Sequence, residues 1–243
     1  MWRSGVSVSV RQAPSGFPVD RPSAAASSAT ELGPLPKPLR AWFTLPWRQQ
    51  LAYAGMKLQD AMPGRSRLRG ADRQLLEDTL LAGYAADATL RTLLFVGCDW
   101  YTQDYVEVFA PGRQRFVTVD IDPAKARFGS PGHLVAPMQE IARHFAAGSV
   151  DVIVANGVYG FGIDDRRELA AAFAAAREVL RPGGTLVLGW NDVPALAPFD
   201  PQALAGEAGF EPSTASPLGA WRTATDTPLR HTYDSYARSG ADR

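Results

Sequence analysis

A succession of five short apolar runs constrains the fold of this 243-residue chain most strongly. The first of them, Thr92–Val96, is continuously apolar, as is typical of a strand that is buried on both faces of a parallel sheet. Between the last two runs, Asp164 or Asp165 can cap a helix, which Arg181-Pro182-Gly183-Gly184 ends. Repeated strand–helix units predict a doubly wound, mostly parallel sheet with right-handed crossovers. The runs are Thr92–Val96, Arg115–Val119, His133–Ala136, Val150–Ala155 and Thr185–Trp190.

The C-terminal part of the sequence departs from this alternation. Asp200-Pro201 opens a short helix, and two strand-like stretches follow it at Phe210–Ala215 and His231–Ala237. The connection between these stretches contains proline and glycine, which favour turns. We therefore expect an antiparallel pair of strands at one edge of the sheet, and seven strands in all.

The sequence before residue 89 divides into a tail and a helical cover. Residues 1–38 contain six prolines in a Ser/Ala/Gly background and show no helical or strand period, which predicts disorder. Residues 39–88 are predicted to form helices, one of them capped by Asp72, over an α/β core of residues 89–243. Residues 39–243 are thus expected to form one domain. Its helical cover is either a structural layer or a lid over a ligand.

Composition excludes several functions. The chain has 25 basic residues (Lys and Arg) and 25 acidic residues (Asp and Glu), so its formal net charge is zero. This balance argues against a nucleic-acid binder or a polybasic membrane-surface protein. The local arginine cluster at Arg65–Arg73 leaves phosphate contacts open. No apolar run approaches the ~18 residues of a membrane-spanning helix. The single cysteine, Cys98, excludes an intramolecular disulfide and a multi-cysteine zinc site. We expect a protein that binds no metal. We also expect it to be cytoplasmic, and the alternative is that the N-terminal tail targets it to an organelle.

Polar residues directly after the apolar runs are the candidate ligand-binding residues, because ligands of open parallel sheets bind beyond the carboxyl ends of the strands. Asp120, Ile121 and Asp122 follow the second run. A carboxylate at this position, about 20 residues after a glycine turn, can accept two hydrogen bonds from a ribose diol. A helix N-cap is the alternative role. Because Asp122 precedes Pro123, we assign the cap to Asp122 and ligand binding to Asp120.

The region from about Leu90 to Ala237 resembles the class I S-adenosylmethionine-dependent methyltransferases. The motifs are LLFVG at 93–97, FVTVDIDP at 116–123, SVDVIVANGVYGFGID at 149–164 and EVLRPGGTLVLG at 178–189. The resemblance implies a Rossmann-like sheet of order 3-2-1-4-5-7-6, and S-adenosylmethionine as cofactor. It also implies a role for each matching residue: Asp120 holds the adenosine ribose, Gly97 lies against the methionine part, Met138 or Gln139 borders the adenine, and Asn156–Tyr159, including Gly157, lines the cleft near the methyl group.

The first motif differs from that of the family, which has an acid two residues before the first glycine and two further glycines at alternate positions. Phe95, Asp99 and Tyr101 occupy these three positions here. In one interpretation Asp99 binds the α-amino group of the ligand, while Trp100 and Tyr101 pack on its aliphatic chain. In the other, cofactor binding has been lost. The retained Asp120 favours the first.

The resemblance implies methyl transfer from S-adenosylmethionine by in-line displacement, and the neutral charge favours a small-molecule acceptor. A non-catalytic methyltransferase-like binding or scaffold protein is the alternative. Asp192, just past the fifth run, is the candidate catalytic group on the acceptor side, although a helix cap or loop carboxylate explains it equally well. Cys98 is predicted to be a small core residue. The three histidines are predicted to be structural: His133, His144 and His231.

Overall fold

The computed structural model describes residues 70–240 together with Pro46, Trp47, Gln50, Leu51 and Ala54. The last four of these isolated residues are helical, and the side chains of Trp47 and Leu51 are exposed. The predicted tail and most of the helical cover that precedes residue 70 lie outside the described residues.

Eight strands of the described chain form one sheet. They are β1 (Thr92–Val96), β2 (Arg115–Asp120), β3 (Leu134–Val135), β4 (Val150–Asn156), β5 (Leu180–Asn191), β6 (Phe210–Pro212), β7 (Arg222–Ala224) and β8 (His231–Arg238). Their order is β3-β2-β1-β4-β5-β8-β6, with β7 also paired to β8. The first five strands are parallel, and β8 runs antiparallel to β5, β6 and β7. The predicted mostly parallel sheet is confirmed.

The additional strand β7 distinguishes this sheet from the seven-stranded prediction. It pairs with the first half of β8, at Thr232–Asp234, while β6 pairs with the second half, at Tyr236–Arg238. Both lie on the side of β8 opposite to β5, so β8 is an interior strand. Because β8 is antiparallel, its first residue lies at the edge where the parallel strands end.

Within residues 70–240, three α-helical segments flank the sheet. The first, α1, is α-helical over Ala71–Gln74, π-helical over Leu75–Leu81 and α-helical again over Ala82–Ala86. The second, α2, spans Arg166–Val179, and α3 spans Gln202–Glu207. Asp165 caps α2 as predicted, because its carboxylate accepts a hydrogen bond from the Glu168 amide at 2.8 Å. The predicted Asp72 cap is wrong. Gly70 is the N-cap of α1, and Asp72 lies within the first turn.

The links after β1, β2 and β3 are short 3₁₀ segments rather than the helices expected from a strand–helix alternation. Aromatic and β-branched residues, which are poor helix formers, dominate the sequence after β1. Prolines begin the segments after β2 and β3, at Pro123 and Pro137. The 3₁₀ segments are Trp100–Thr102, Tyr105–Val108, Pro123–Phe128 and Met138–Arg143.

The side chains of β1 alternate between two apolar clusters, one on each face of the sheet. Leu93 and Phe95 belong to the cluster with the apolar side of α1, while Leu94 and Val96 belong to the cluster with α2. Burial of each large apolar side chain contributes roughly 1.5–3 kcal/mol. Four such side chains hold α1 against the sheet: Leu76, Leu80, Leu81 and Tyr84. In the described part of the chain, no helix is both long and apolar enough to cross a membrane.

Candidate functional site

A cavity of about 890 Å³ opens at the edge of the sheet where the parallel strands end. Its walls come from α1, from the segments that follow β1 to β4, from the end of β5 and from β8. The nine binding residues predicted from the sequence all line this cavity: Gly97, Asp99, Tyr101, Asp120, Ile121, Met138, Gln139, Asn156 and Gly157. The structure therefore brings together residues from four separate parts of the sequence.

Asp120 ends β2 and is fixed by two backbone hydrogen bonds. Its Oδ2 accepts from the Cys98 amide at 2.6 Å, and its Oδ1 accepts from the Asp122 amide at 2.8 Å. Each carboxylate oxygen can accept a second hydrogen bond, so the group retains capacity for a ligand. Asp122 accepts from the Ala124 amide at 2.9 Å and caps the next 3₁₀ segment, as predicted.

Gly97 allows the segment after β1 to turn beside β4. Its φ of +96° lies in the left-handed region that favours glycine. A Cβ atom at this position would lie 2.2 Å from the Asn156 carbonyl oxygen, which is backbone and cannot move aside. Only glycine can be accommodated where β1 lies this close to β4. Because it has no side chain, the cavity wall at Gly97 consists of backbone atoms.

The segment after Gly97 forms a tight 3₁₀ turn in place of a glycine-rich loop. Asp99 caps it, and the Asp99 Oδ1 accepts from the Trp100 amide at 2.7 Å. The Lys125 ammonium lies 3.0 Å from the same oxygen, so neither contact uses Oδ2. Asp99 has φ of −150°, and the backbone of Tyr101 likewise avoids positive φ. The two missing glycines are therefore not required by the conformation that this turn adopts.

Tyr101 and Trp100 present their rings to a cation from α1. The Arg73 guanidinium carbon lies 4.8 Å from the ring centroid of Tyr101 and 5.1 Å from that of Trp100. The two rings meet edge to face at 5.8 Å. Arg73 and Tyr101 both line the cavity.

His231 is a cavity residue whose position the sequence analysis missed. It begins β8, is buried, and contacts two asparagine side chains. Its Nδ1 lies 2.8 Å from the Asn191 Oδ1, and its Nε2 lies 3.0 Å from the Asn156 Oδ1. Burial lowers the pKa of His231 to about 4, although Asp72 acts in the opposite direction. A neutral imidazole donates at one nitrogen and accepts at the other, so one asparagine faces it with its NH₂ group.

The hydroxyl of Tyr233, two residues further along β8, donates to the Asp72 backbone carbonyl at 3.0 Å. This bond connects the beginning of α1 to β8 beside the cavity. Both Asp72 and Tyr233 line the cavity. The last strand and α1 thus form one wall of the cavity.

Asp192 and Cys98, two further residues considered in the sequence, make contacts that serve the fold. Asp192 does not line the cavity, and its carboxylate lies 3.1 Å from the Arg230 guanidinium. Side chains alternate along a strand, so Asn191, the last residue of β5, faces the cavity instead. Cys98 is buried, as predicted, and burial raises the pKa of its thiol to about 11.

The buried His231 is expected to make the domain less stable in mild acid. A histidine whose folded pKa lies below its unfolded value of about 6.5 contributes stability at neutral pH. This contribution is lost as the pH falls from about 6.5 to about 4, and it amounts to roughly 3 kcal/mol at most. Thermal unfolding of the wild type and of His231→Gln, followed by circular dichroism between pH 7.5 and 4.5, measures it. The melting temperature of His231→Gln should fall less over this range.

The exposed His144 provides the matched control for this experiment. His144→Gln should melt as the wild type does, because the His144 side chain is exposed to solvent. Equal slopes for His231→Gln and the wild type would show that His231 does not titrate in this way.

Residues 95–188 match the family model described as "Methyltransferase domain". Together with the order and direction of the strands, this match confirms the resemblance to the class I S-adenosylmethionine-dependent methyltransferases and the Rossmann-like fold that the resemblance implies. No sequence among the curated proteins matches the chain.

Two solved structures are similar to the chain over most of its length. One is the N-methyltransferase NodS from Bradyrhizobium japonicum in complex with S-adenosyl-L-homocysteine, with 17% identity and a TM-score of 0.53. The alignment covers 77% of this chain and 98% of NodS. The other is a TehB-like SAM-dependent methyltransferase from Corynebacterium glutamicum, with 17% identity and a TM-score of 0.51. It covers 80% of this chain and 100% of that protein. At these identities the similarity shows a shared fold.

Proposed function

We propose that this protein binds S-adenosylmethionine in the cavity and transfers its methyl group to a small-molecule acceptor. The observation that carries the proposal is the Asp120 carboxylate, fixed at the carboxyl end of β2 and facing the cavity beside Gly97. A carboxylate held in this way suits the two hydroxyls of a ribose, because charge-assisted hydrogen bonds are the stronger ones. The structural similarity to NodS, which was crystallised with S-adenosyl-L-homocysteine, supports the same ligand.

The cavity residues fit the parts of this cofactor in the order of the strands. Pro137–Gln139, after β3, would border the adenine together with Ile121, which is 65% exposed and offers an apolar surface. Asp120, after β2, would hold the ribose. The bare backbone at Gly97, after β1, would lie against the methionine part, and Asp99 would bind its ammonium group. The proposed adenine contacts are therefore apolar and backbone groups.

The bound cofactor would supply a methyl group on a positively charged sulfur, which is an activated leaving group. The protein's contribution is then to hold an acceptor in line with that methyl group and to exclude water. Asn156, fixed by His231, and Asn191 present carboxamide groups on the side of the cavity near β4 and β5. These groups can orient a polar acceptor by hydrogen bonds. The acceptor-side role of Asp192 would require it to leave Arg230.

The charges around the cavity support a small acceptor rather than a nucleic acid. Among the described residues that line the cavity, acidic side chains outnumber basic ones by six to two. A cleft of this sign repels a polyanion and attracts a cationic sulfonium. The acidic residues are Asp72, Asp99, Asp120, Asp122, Glu140 and Glu168, and the basic ones are Arg73 and Lys125.

A non-catalytic binding or scaffold role is the second candidate function. The observation that favours it is the capped 3₁₀ turn at Asp99–Thr102, which replaces the glycine-rich loop of the family. Such a protein would keep the fold without binding the cofactor.

Isothermal titration of the full chain with S-adenosylmethionine and S-adenosylhomocysteine separates the two candidates. The proposed function predicts micromolar binding of both ligands with one site per chain. Failure of both ligands to bind would contradict methyl transfer and favour the scaffold role. Titration with NADH serves as a control, because the turn after β1 lacks the glycine pattern of dinucleotide-binding proteins.

A further inference from the structure

We propose that Arg73, held against the rings of Trp100 and Tyr101, binds the carboxylate of the methionine part of S-adenosylmethionine. The inference rests on the proposed function and adds a binding residue from outside the α/β core. Arg73 belongs to α1, which precedes the methyltransferase match at residues 95–188.

The position of Arg73 follows from the order of the cavity walls. The segments after β3, β2 and β1 lie side by side, since these strands are neighbours in the sheet. A ligand with its adenine at the first and its ribose at the second places its methionine part at the third, beside Asp99 and Tyr101. Arg73 also lines the cavity, and its guanidinium carbon lies 4.8 Å from the ring centroid of Tyr101.

The charges at this end of the cavity complement an amino acid. The methionine part of the cofactor carries an ammonium and a carboxylate on one carbon atom. Asp99 supplies a negative charge to the cavity wall, and Arg73, which contacts the ring of the adjacent Trp100, supplies a positive one. Among the described residues that line the cavity, Lys125 is the second cation, and its ammonium lies 3.0 Å from the Asp99 carboxylate. A guanidinium has five N–H donors in a planar fork that matches a carboxylate, and contact with ring faces is compatible with that use.

This arrangement gives a physical account of the altered first motif. Tyr101 stands where the family has a glycine, and its ring contacts a cation that faces the cavity. The proposed anion-binding group is therefore a side chain held by aromatic rings, where a glycine-rich loop would offer backbone N–H groups.

A comparison of two ligands that differ only in the carboxylate tests the proposal. S-adenosylmethionine and decarboxylated S-adenosylmethionine are titrated into the wild type and into Arg73→Met by calorimetry. The wild type should bind S-adenosylmethionine about 10- to 100-fold more tightly than the decarboxylated ligand, because the latter cannot form the charge-assisted hydrogen bond to Arg73. Arg73→Met should lose this preference because its affinity for S-adenosylmethionine falls by the same factor. Its affinity for the decarboxylated ligand should stay within about twofold of the wild type.

Two further variants keep the test independent of folding defects. Arg73→Lys retains the charge and should retain part of the preference, because an ammonium makes a single contact where the guanidinium fork makes two. Arg127→Met is the matched control: the Arg127 guanidinium carbon lies 4.6 Å from the Phe128 ring centroid, and Arg127 does not line the cavity. This control should keep the wild-type affinities. The melting temperature of each variant shows whether the fold is intact.

The proposal is overturned if Arg73→Met weakens both ligands equally, since Arg73 would then act only by holding α1 in place. It is also overturned if the variant binds both ligands as the wild type does. Failure of the proposed function looks different, because the unmodified protein would then bind neither S-adenosylmethionine nor S-adenosylhomocysteine.

Discussion

Asp120→Asn is expected to weaken the binding of S-adenosylhomocysteine about a hundredfold or more, the largest loss of affinity for any single replacement in this cavity. Each hydrogen bond to the charged carboxylate contributes roughly 1.5–3 kcal/mol, and a ribose offers two hydroxyls. Asparagine keeps the size of the side chain but removes the charge and one acceptor oxygen. Calorimetric titration of the wild type and of the variant measures the difference.

Asp122→Asn is the control for this replacement. Asp122 lies two residues away and also lines the cavity, but its carboxylate caps the following 3₁₀ segment. Asparagine is a good N-cap, so this variant should bind the ligand within a few fold of the wild type. If Asp120→Asn binds as tightly as the control, the ribose contact at Asp120 is refuted.

Arg222→Met is expected to lower the stability of the domain more than any other replacement discussed. Arg222 forms a two-pronged ion pair with Asp234, which is fully buried in β8, at 2.6 Å and 2.7 Å. Removal of one partner of a buried pair costs about 3–5 kcal/mol because the other charge is left without compensation. For a domain of this size the melting temperature should fall by about 6–20 °C. Circular dichroism or differential scanning calorimetry at pH 7 measures it.

The pH dependence of this loss identifies its cause. Burial raises the pKa of the Asp234 carboxyl, while hydrogen bonds from Arg222 oppose that rise. Without Arg222 the pKa rises further, and an acid with a raised folded pKa stabilises the fold at low pH and destabilises it as the pH increases. The difference in melting temperature between the wild type and Arg222→Met should therefore become smaller as the pH falls from 7 towards 4.

Asp200→Asn supplies the comparison for the buried ion pair. Asp200 contacts the same guanidinium at 2.7 Å, but its carboxylate is half exposed. Exposed ion pairs contribute about 0–1 kcal/mol, so this variant should melt close to the wild type. A deficit as large as that of Arg222→Met would mean that the stability comes from the network as a whole and not from the burial of Asp234.

The residues that end parallel strands could be predicted from the sequence because each belongs to a local pattern. Asp120 follows an apolar run and precedes a separate capping residue, so its position at the end of a strand could be predicted without any tertiary information. The same is true of Gly97 and Asn156. Their close approach depends on the pairing of β1 with β4: a Cβ atom added to Gly97 would lie only 2.2 Å from the Asn156 carbonyl oxygen. The sequence indicates each residue but not this contact.

Arg73 and His231 could not be placed because their positions depend on how distant elements pack. Arg73 appeared as one of several arginines in a basic cluster, and no spacing indicates that it reaches Trp100 and Tyr101. His231 was assigned to an edge strand, but β7 and β6 cover β8 on its outer side. One signal was available: the first residue of an antiparallel final strand lies at the same edge as the ends of the parallel strands.

Asp192 illustrates the sensitivity of such predictions to a shift of one residue. The sequence analysis ended the fifth strand at Trp190, whereas β5 extends to Asn191. Alternation along the strand gives the cavity-facing position to Asn191 and turns Asp192 towards Arg230. The polarity of the segment was predictable, but the side chain that faces the cavity was not.

The bond between Tyr233 and the Asp72 carbonyl has a consequence for the order of folding. The two residues are 161 positions apart in the sequence, and both border the cavity. A nascent chain emerging from the ribosome can pair β1 to β4 long before β8 is made, but it cannot close this wall of the cavity. Contacts between such distant segments form late, because closing a long loop of chain costs conformational entropy. A cavity ligand would therefore stabilise the completed domain by mass action, without assisting the early steps that build its sheet.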